Sequence, residues 1–206
     1  MKKTKFFALM LMGLTTVSVM SSCQKDDEEP TPTNPVTYGS ITRFNTKLMG
    51  GQTNTTTGSF FSTETGMVYG EATAGADVSI QRVVDLVYFF GTTNHATIAA
   101  PSDSTAQEAH NQSNGTDELK NWTVKNATTF KTTTLSAADF VASANDSLAT
   151  VALTGGATLS KVNELVAGQV VAFQTAKGKK GLFHVVSVDG QTGLDRSITI
   201  NVLVQQ

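Results

Sequence analysis

Residues 197–204, Ser197-Ile-Thr-Ile-Asn-Val-Leu-Val204, set Ile198, Ile200, Val202 and Val204 at a strict period of two. That is the repeat of a strand, in which alternate side chains share a face; a helix would spread the same residues around its circumference. The segment therefore predicts a strand with one face committed to a core. Two more β-branched runs precede it, residues 170–175 and 182–188. Turns carrying Gly178 and Gly181, then Asp189-Gly190, join the three. Successive strands linked by short turns predict an antiparallel meander.

Residues 81–91, Gln-Arg-Val-Val-Asp-Leu-Val-Tyr-Phe-Phe-Gly, are apolar almost without alternation. Such a run predicts a central strand covered on both faces. Asp85 lies inside it, and a buried carboxylate is costly without a hydrogen-bond partner. Residues 59–63 and 67–69 flank Glu64-Thr-Gly66 and predict a hairpin. Further strands are expected at 41–48 and at 96–101, where Pro101 ends the run, with an extended stretch at 122–130 and a weak strand at 148–153. Residues 71–77 read as loop. Helical turns are expected near 105–110 and 160–165, and a short helix over 137–144 that buries Phe140 and Val141. Many short strands joined by Gly and polar turns predict a mainly β fold: an antiparallel β-sandwich with one or two short helices, spanning 41–206.

The first 40 residues have a different logic. Lys2, Lys3 and Lys5 precede a short apolar run from Phe6 to Met20. The run falls short of the roughly 20 apolar residues a spanning helix needs. A charged start, a short apolar core and small residues form a secretory signal, here residues 1–22. Met20-Ser-Ser-Cys23 resembles the bacterial lipobox, with Met20 where the pattern prefers Leu. The resemblance implies that Cys23 becomes the first mature residue and carries acyl chains. It is the chain's single cysteine, so the domain has no intramolecular disulfide. Lys25, Asp26, Asp27, Glu28 and Glu29 follow and resemble the lipoprotein export signal of Bacteroidetes. That implies lipid anchoring in the outer membrane through Cys23, facing the medium. Pro30-Thr-Pro-Thr-Asn-Pro35 excludes helix and favours an extended, disordered tether over 23–40. The globular part loosely resembles uncharacterised β-sandwich lipoproteins of gut Bacteroidetes.

Removing the leader leaves 12 basic against 17 acidic residues, a net charge of −5. Nucleic-acid binding domains usually carry a basic patch or stripe, so no nucleic-acid partner is expected. The sequence contains no GxSxG elbow, no phosphate-binding GxxxxGK[ST] loop and no HExxH pair, so no catalytic residue, cofactor or metal is assigned. Candidate ligand-binding residues are Trp122, an aromatic in an irregular stretch, His95, at the end of the buried strand's turn, and Asp85. Tyr38, Tyr69 and Tyr88 are further aromatics for a sugar platform. Asp103-Ser104-Thr105 and Asp146-Ser147-Leu148 resemble the Bacteroidetes O-glycosylation sequon, which makes Ser104 and Ser147 candidates in expected loops.

The function expected from these features is a non-enzymatic binding or adhesion module, for glycan or for another surface lipoprotein. The alternative is a surface polysaccharide hydrolase with an unidentified acid pair, which needs two carboxylates across a cleft. The address itself is testable. Radiolabelled palmitate is expected to label the wild-type chain and not the Cys23→Ala variant; equal labelling of both excludes Cys23 as the acyl site.

Overall fold

The structure, a computed structural model, describes residues 36–54, 56–111, 115, 117–190 and 196–206. The expected leader 1–22, the candidate acyl site Cys23, the charged cluster Lys25, Asp26, Asp27, Glu28 and Glu29, and the expected proline-rich tether over 30–35 lie outside the described residues.

Strands β1 (Ile41–Gly50), β10 (Ser197–Gln205), β9 (Lys180–Asp189), β8 (Val170–Gln174) and β6 (Thr129–Thr132) form one sheet in that order. A second sheet runs β3 (Val68–Tyr69), β2 (Phe60–Ser62), β4 (Val84–Gly91), β5 (His95–Ala99) and β7 (Lys161–Val162). Every pairing is antiparallel. The expected C-terminal meander is β8-β9-β10, and β4 is the middle strand of its sheet. Residues Thr37–Gln206 form one compact unit.

The two sheets face each other. Ile198, Ile200, Val202 and Val204 of β10, Phe183 and Val185 of β9, and Phe173 of β8 meet Leu86, Tyr88 and Phe90 of β4 and Ile98 of β5 in one buried cluster. The period-two residues of β10 thus all enter the inter-sheet core. The opposite face of β4 is also buried. Val87 and Phe89 pack with Phe60 against Ala74 of α1 (Glu71–Ala76), Ala106 of α3 (Ser104–Ala109) and Trp122. The outer face of the first sheet is covered in turn, where Ala172, Leu182 and Leu203 meet Phe140 of α4 (Ala137–Ala142) and Ala149 and Leu153 of α5 (Ser147–Ala152). The sandwich therefore carries a helical cover on each side.

This cover is what the sequence reading undercounted. Five short α-helices are present among the described residues, counting α2 (Val78–Gln81), where one or two were expected. Residues 148–153 fall in and just after α5, not in a strand. Their apolar run suits either state, and Ala149 and Leu153, four apart, give the helix a buried stripe on the first sheet. Residues 71–77, read as loop, hold α1, whose six residues are too short to show a period. Residues 160–165 hold β7 rather than a helical turn. Residues 122–130 are irregular until β6 begins. The helix over 137–144 is present as α4. Ser136 opens it with a capping box, since its Oγ accepts from Asp139 N (3.2 Å) and Asp139 Oδ2 accepts from Ser136 N (2.8 Å). One face of so short a helix meets the sheet, so Phe140 is buried while Val141 stands 71% exposed.

Gly66 holds φ +68° in the β2–β3 hairpin, a left-handed value that glycine adopts freely. Gly181, expected in a turn, lies instead inside β9, paired with Phe173 of β8. A Cβ there would sit 2.3 Å from the Phe173 ring and 2.5 Å from the Leu203 carbonyl oxygen. Gly181→Ala is therefore expected to lower stability by the upper part of roughly 1–3 kcal/mol. Gly70→Ala, where an added Cβ meets nothing within 4 Å, is expected to change it by less than about 1 kcal/mol. Urea unfolding of the two variants checks the contrast.

Candidate functional site

One end of the sandwich is built from loops rather than strand pairs. Beyond Phe60, β2 no longer pairs with β4, and Tyr88 N–H donates instead to Ser59 O (2.9 Å). Two residues on, the Gln52 side chain takes over. Its Nε2 donates to Phe90 O (2.8 Å) and its Oε1 accepts from Phe90 N (3.0 Å). An amide side chain thus acts as the missing strand neighbour. Gly51 N donates to Arg196 O (2.7 Å), which ties the start of β10 to the same end. Glu164 N donates to Asn94 O (3.0 Å) and Leu165 N to Ala96 O (2.9 Å), which ties the segment before β8 alongside β5.

A cleft of about 460 Å³ opens there between the sheets. Its apolar floor includes Phe90, Ala96, Leu165 and Val188, and its polar groups are His95, Glu164 and Arg196. The Arg196 guanidinium lies 4.5 Å from the centroid of the Phe90 ring, a cation–π distance. His95 meets the same Phe90 edge-on at 6.1 Å. His95 (φ +51°) and Glu164 (φ +55°) are two of the three non-glycine residues with left-handed backbone among the described residues. Thr46 (φ +52°), at a bulge in β1, is the third. Backbone strain of this kind costs of order 1–3 kcal/mol per residue and collects at functional sites.

A second cleft, about 570 Å³, is polar. Gln52, Asn54, Thr57, Ser59 and Thr73 line it with amides and hydroxyls, and Glu71 and Asp117 add two carboxylates. The Asn54 side-chain oxygen shapes its wall by accepting from Thr56 N (3.0 Å) and Thr57 N (2.9 Å). Glu71 is turned inward. Its Oε1 accepts from Leu119 N (3.4 Å) and its Oε2 lies 3.7 Å from Nδ1 of the buried His110. A third, smaller cleft contains both Gln52 and Phe90, so the three form a run across this end.

The candidates read from sequence scatter. His95 stands exposed on the rim of the first cleft. Trp122 does not serve as a platform. It is 3% exposed, its ring packs on Phe60 at 4.8 Å and its Nε1 donates to Asp117 O (2.8 Å). The lone indole closes the outer face of β4, where a large apolar area is needed. Tyr88 is likewise fully buried, while Tyr38 is exposed. Asp85 lines neither main cleft. It is buried near the opposite end of β4 from Gly91, the partner of His95, about 20 Å away at strand spacing. Its carboxylate accepts from Thr63 N (3.2 Å) and from the Thr63 hydroxyl. Ser104 and Ser147 are not in loops; each is the first residue of a helix, the first exposed and the second half-buried. The aspartates before them are structural. Asp103 accepts from Thr105 N (2.9 Å), Ala106 N (3.0 Å) and Ser160 Oγ (2.6 Å). Burial acts to raise its carboxyl, but the Ser160 hydroxyl, the helix N–H and the Lys161 ammonium outweigh that and hold it below the usual range. Asp146 accepts from Gly39 N (2.7 Å) and from the Gln205 side-chain amide, clipping the two ends of the domain together. The residues that sequence reasoning missed, Arg196, Glu164 and Gln52, lie in turns that carry no motif.

Burial raises the Asp85 carboxyl above its ordinary value, against the lowering effect of the Thr63 hydrogen bonds. The folded-state value thus exceeds the unfolded one, and stability from this group falls as pH rises through the folded value. Asp85→Asn keeps an oxygen for Thr63 and removes the titration. Relative to that variant, the wild type is expected to gain stability as pH is lowered from 7 towards 4, read by urea unfolding at each pH. Asp85→Ala is expected to lose about 1–3 kcal/mol at pH 7, since Thr63 is left unpaired.

Comparison with protein-family models gives no match, nor does comparison with curated proteins. Among solved structures, the fold is similar to that of a DUF4466 family protein from Parabacteroides merdae, with a TM-score of 0.56 and 14% sequence identity. The match covers 84% of this chain and 56% of the other, so this chain spans little more than half the length of that neighbour. At this identity the likeness establishes the fold: a mainly β architecture of two antiparallel sheets with short helices.

Proposed function

We propose that this chain is a lipoprotein of the outer-membrane surface, anchored through Cys23, whose domain is a non-enzymatic glycan-binding module. The observation that carries the binding reading is the run of clefts at one end of the sandwich. The second of them is walled by Asn54, Thr57 and Thr73, whose neutral amide and hydroxyl groups are suited to sugar hydroxyls. The lipobox resemblance, the charged cluster Lys25–Glu29 and a fold neighbour from a Bacteroidetes species support the address. A partner lipoprotein is the competing occupant of the same end.

A hydrolase is the second reading, favoured by the presence of Glu71 and Asp117 in one cleft. Asp85 lines none of the three clefts at this end. Against a hydrolase, both Glu71 oxygens face groups of the chain itself, Leu119 N and His110.

A glycan array probed with the detergent-solubilised full chain tests the proposal. Retention of at least one glycan is expected, weakened about tenfold or more by Thr73→Trp, which fills the second cleft from an exposed position on α1. Absence of retention on any glycan overturns it. Reducing-sugar release from a retained glycan, abolished by Glu71→Gln and Asp117→Asn, shifts the assignment to the hydrolase.

A further inference from the structure

The first cleft differs from the second in holding a cation, Arg196, with no carboxylate partner among the described residues. Its Nε is buried and has no hydrogen-bond partner. A desolvated donor left unmade is costly, and a guanidinium presents its donors as a planar fork matched to a carboxylate. The fork is pre-positioned on two sides. The guanidinium carbon lies 4.5 Å from the Phe90 ring centroid, and the Gly51–Arg196 backbone hydrogen bond holds the Cα.

The remaining lining narrows the anion. The floor of Ala96, Leu165 and Val188 is apolar and asks for a body with an apolar face. Glu164 stands exposed on the rim and is an acceptor only. It repels a bare anion but accepts hydroxyl hydrogens. His95, on the same rim, offers a ring nitrogen to a further hydroxyl. The backbones of His95 and Glu164 are held in left-handed conformation, and the hydrogen bonds from Glu164 N and Leu165 N fix that wall. An apolar ring face, several hydroxyls and one carboxylate together describe an acidic sugar. The second cleft, linked to the first through the small cleft that shares Phe90 and Gln52, adds amides and hydroxyls, as a polysaccharide requires.

The geometry points to the first cleft as a subsite for a carboxylate-bearing sugar residue, with Arg196 clasping the carboxylate and Glu164 and His95 reading ring hydroxyls. The assignment rests on the glycan-binding reading and specifies the ligand's charge.

Calorimetric titration of the detergent-solubilised full chain separates the two. The probes are trigalacturonate, a hyaluronan tetrasaccharide and 3′-sialyllactose, each beside its carboxyl-reduced counterpart. At least one acidic probe is expected to bind, and its reduced form to bind about 10- to 100-fold more weakly. Arg196→Ala is expected to lose a similar factor, and Arg196→Lys to recover part of it, since charge returns without the fork. Ala167→Trp, an exposed position on this cleft, is expected to block binding without touching Arg196, so a folding defect in Arg196→Ala does not shelter the claim. Equal binding of acidic and reduced probes, or acidic binding that survives both Ala167→Trp and Arg196→Ala, overturns this subsite. If those results come with Thr73→Trp still abolishing binding, glycan recognition stands and only the charge assignment falls. If no acidic probe binds, the subsite is overturned, and the neutral glycans of the array decide the broader reading.

Discussion

Strand β4 must be covered twice, and much of the molecule follows from that. Leu86, Tyr88 and Phe90 fill the space between the sheets, while Val87 and Phe89 point the other way and are equally buried. A two-layer sandwich alone would leave the second set in water, at about 1.5–3 kcal/mol per large side chain. Helices α1 and α3 and the Trp122 segment exist on that side to prevent it. Gln81 stitches this cover together, since its buried amide accepts from Thr123 N and Val124 N and donates to Gly75 O. The first sheet is treated in the same way. Phe140 of α4 closes on it, and Arg43 of β1 lays its guanidinium near that ring and donates to the Phe140 carbonyl.

The covered faces leave the sandwich ends as the places where side chains are free to meet a ligand. At one end β2 runs out before β4 does, and the exposed backbone of Phe90 is satisfied by the Gln52 amide rather than by a strand. A side chain fills the ladder position there, so the sheet edge stops and the cleft begins. The same few hydrogen bonds hold His95 and Glu164 in left-handed backbone and place Arg196 over Phe90. Preorganisation and strain thus share one set of contacts.

Some of this was legible from residue order. The alternation in 197–204 named both the strand and its buried face, because a period of two has one structural meaning. The unbroken apolar run near residues 84–91 implied burial on both sides. The short helix expected over 137–144 is α4. His95 was noticed for its place after the buried strand, and it is on a cleft. Trp122 was misjudged because an aromatic residue in irregular chain looks the same whether it caps a core or stacks on a sugar. Asp85 was singled out for its cost, which Thr63, 22 residues away, answers in the fold.

By itself, the sequence determined the strand-rich class, the C-terminal meander and the inward face of β10, since each depends on neighbours in the chain. Only the tertiary structure decided that 148–153 is helical, that Gly181 makes room for Phe173, and that Arg196, Glu164 and His95 share a cleft. Those outcomes rest on contacts between segments from about 8 to about 100 residues apart, set by which faces two sheets must cover. No local pattern encodes a meeting of that kind.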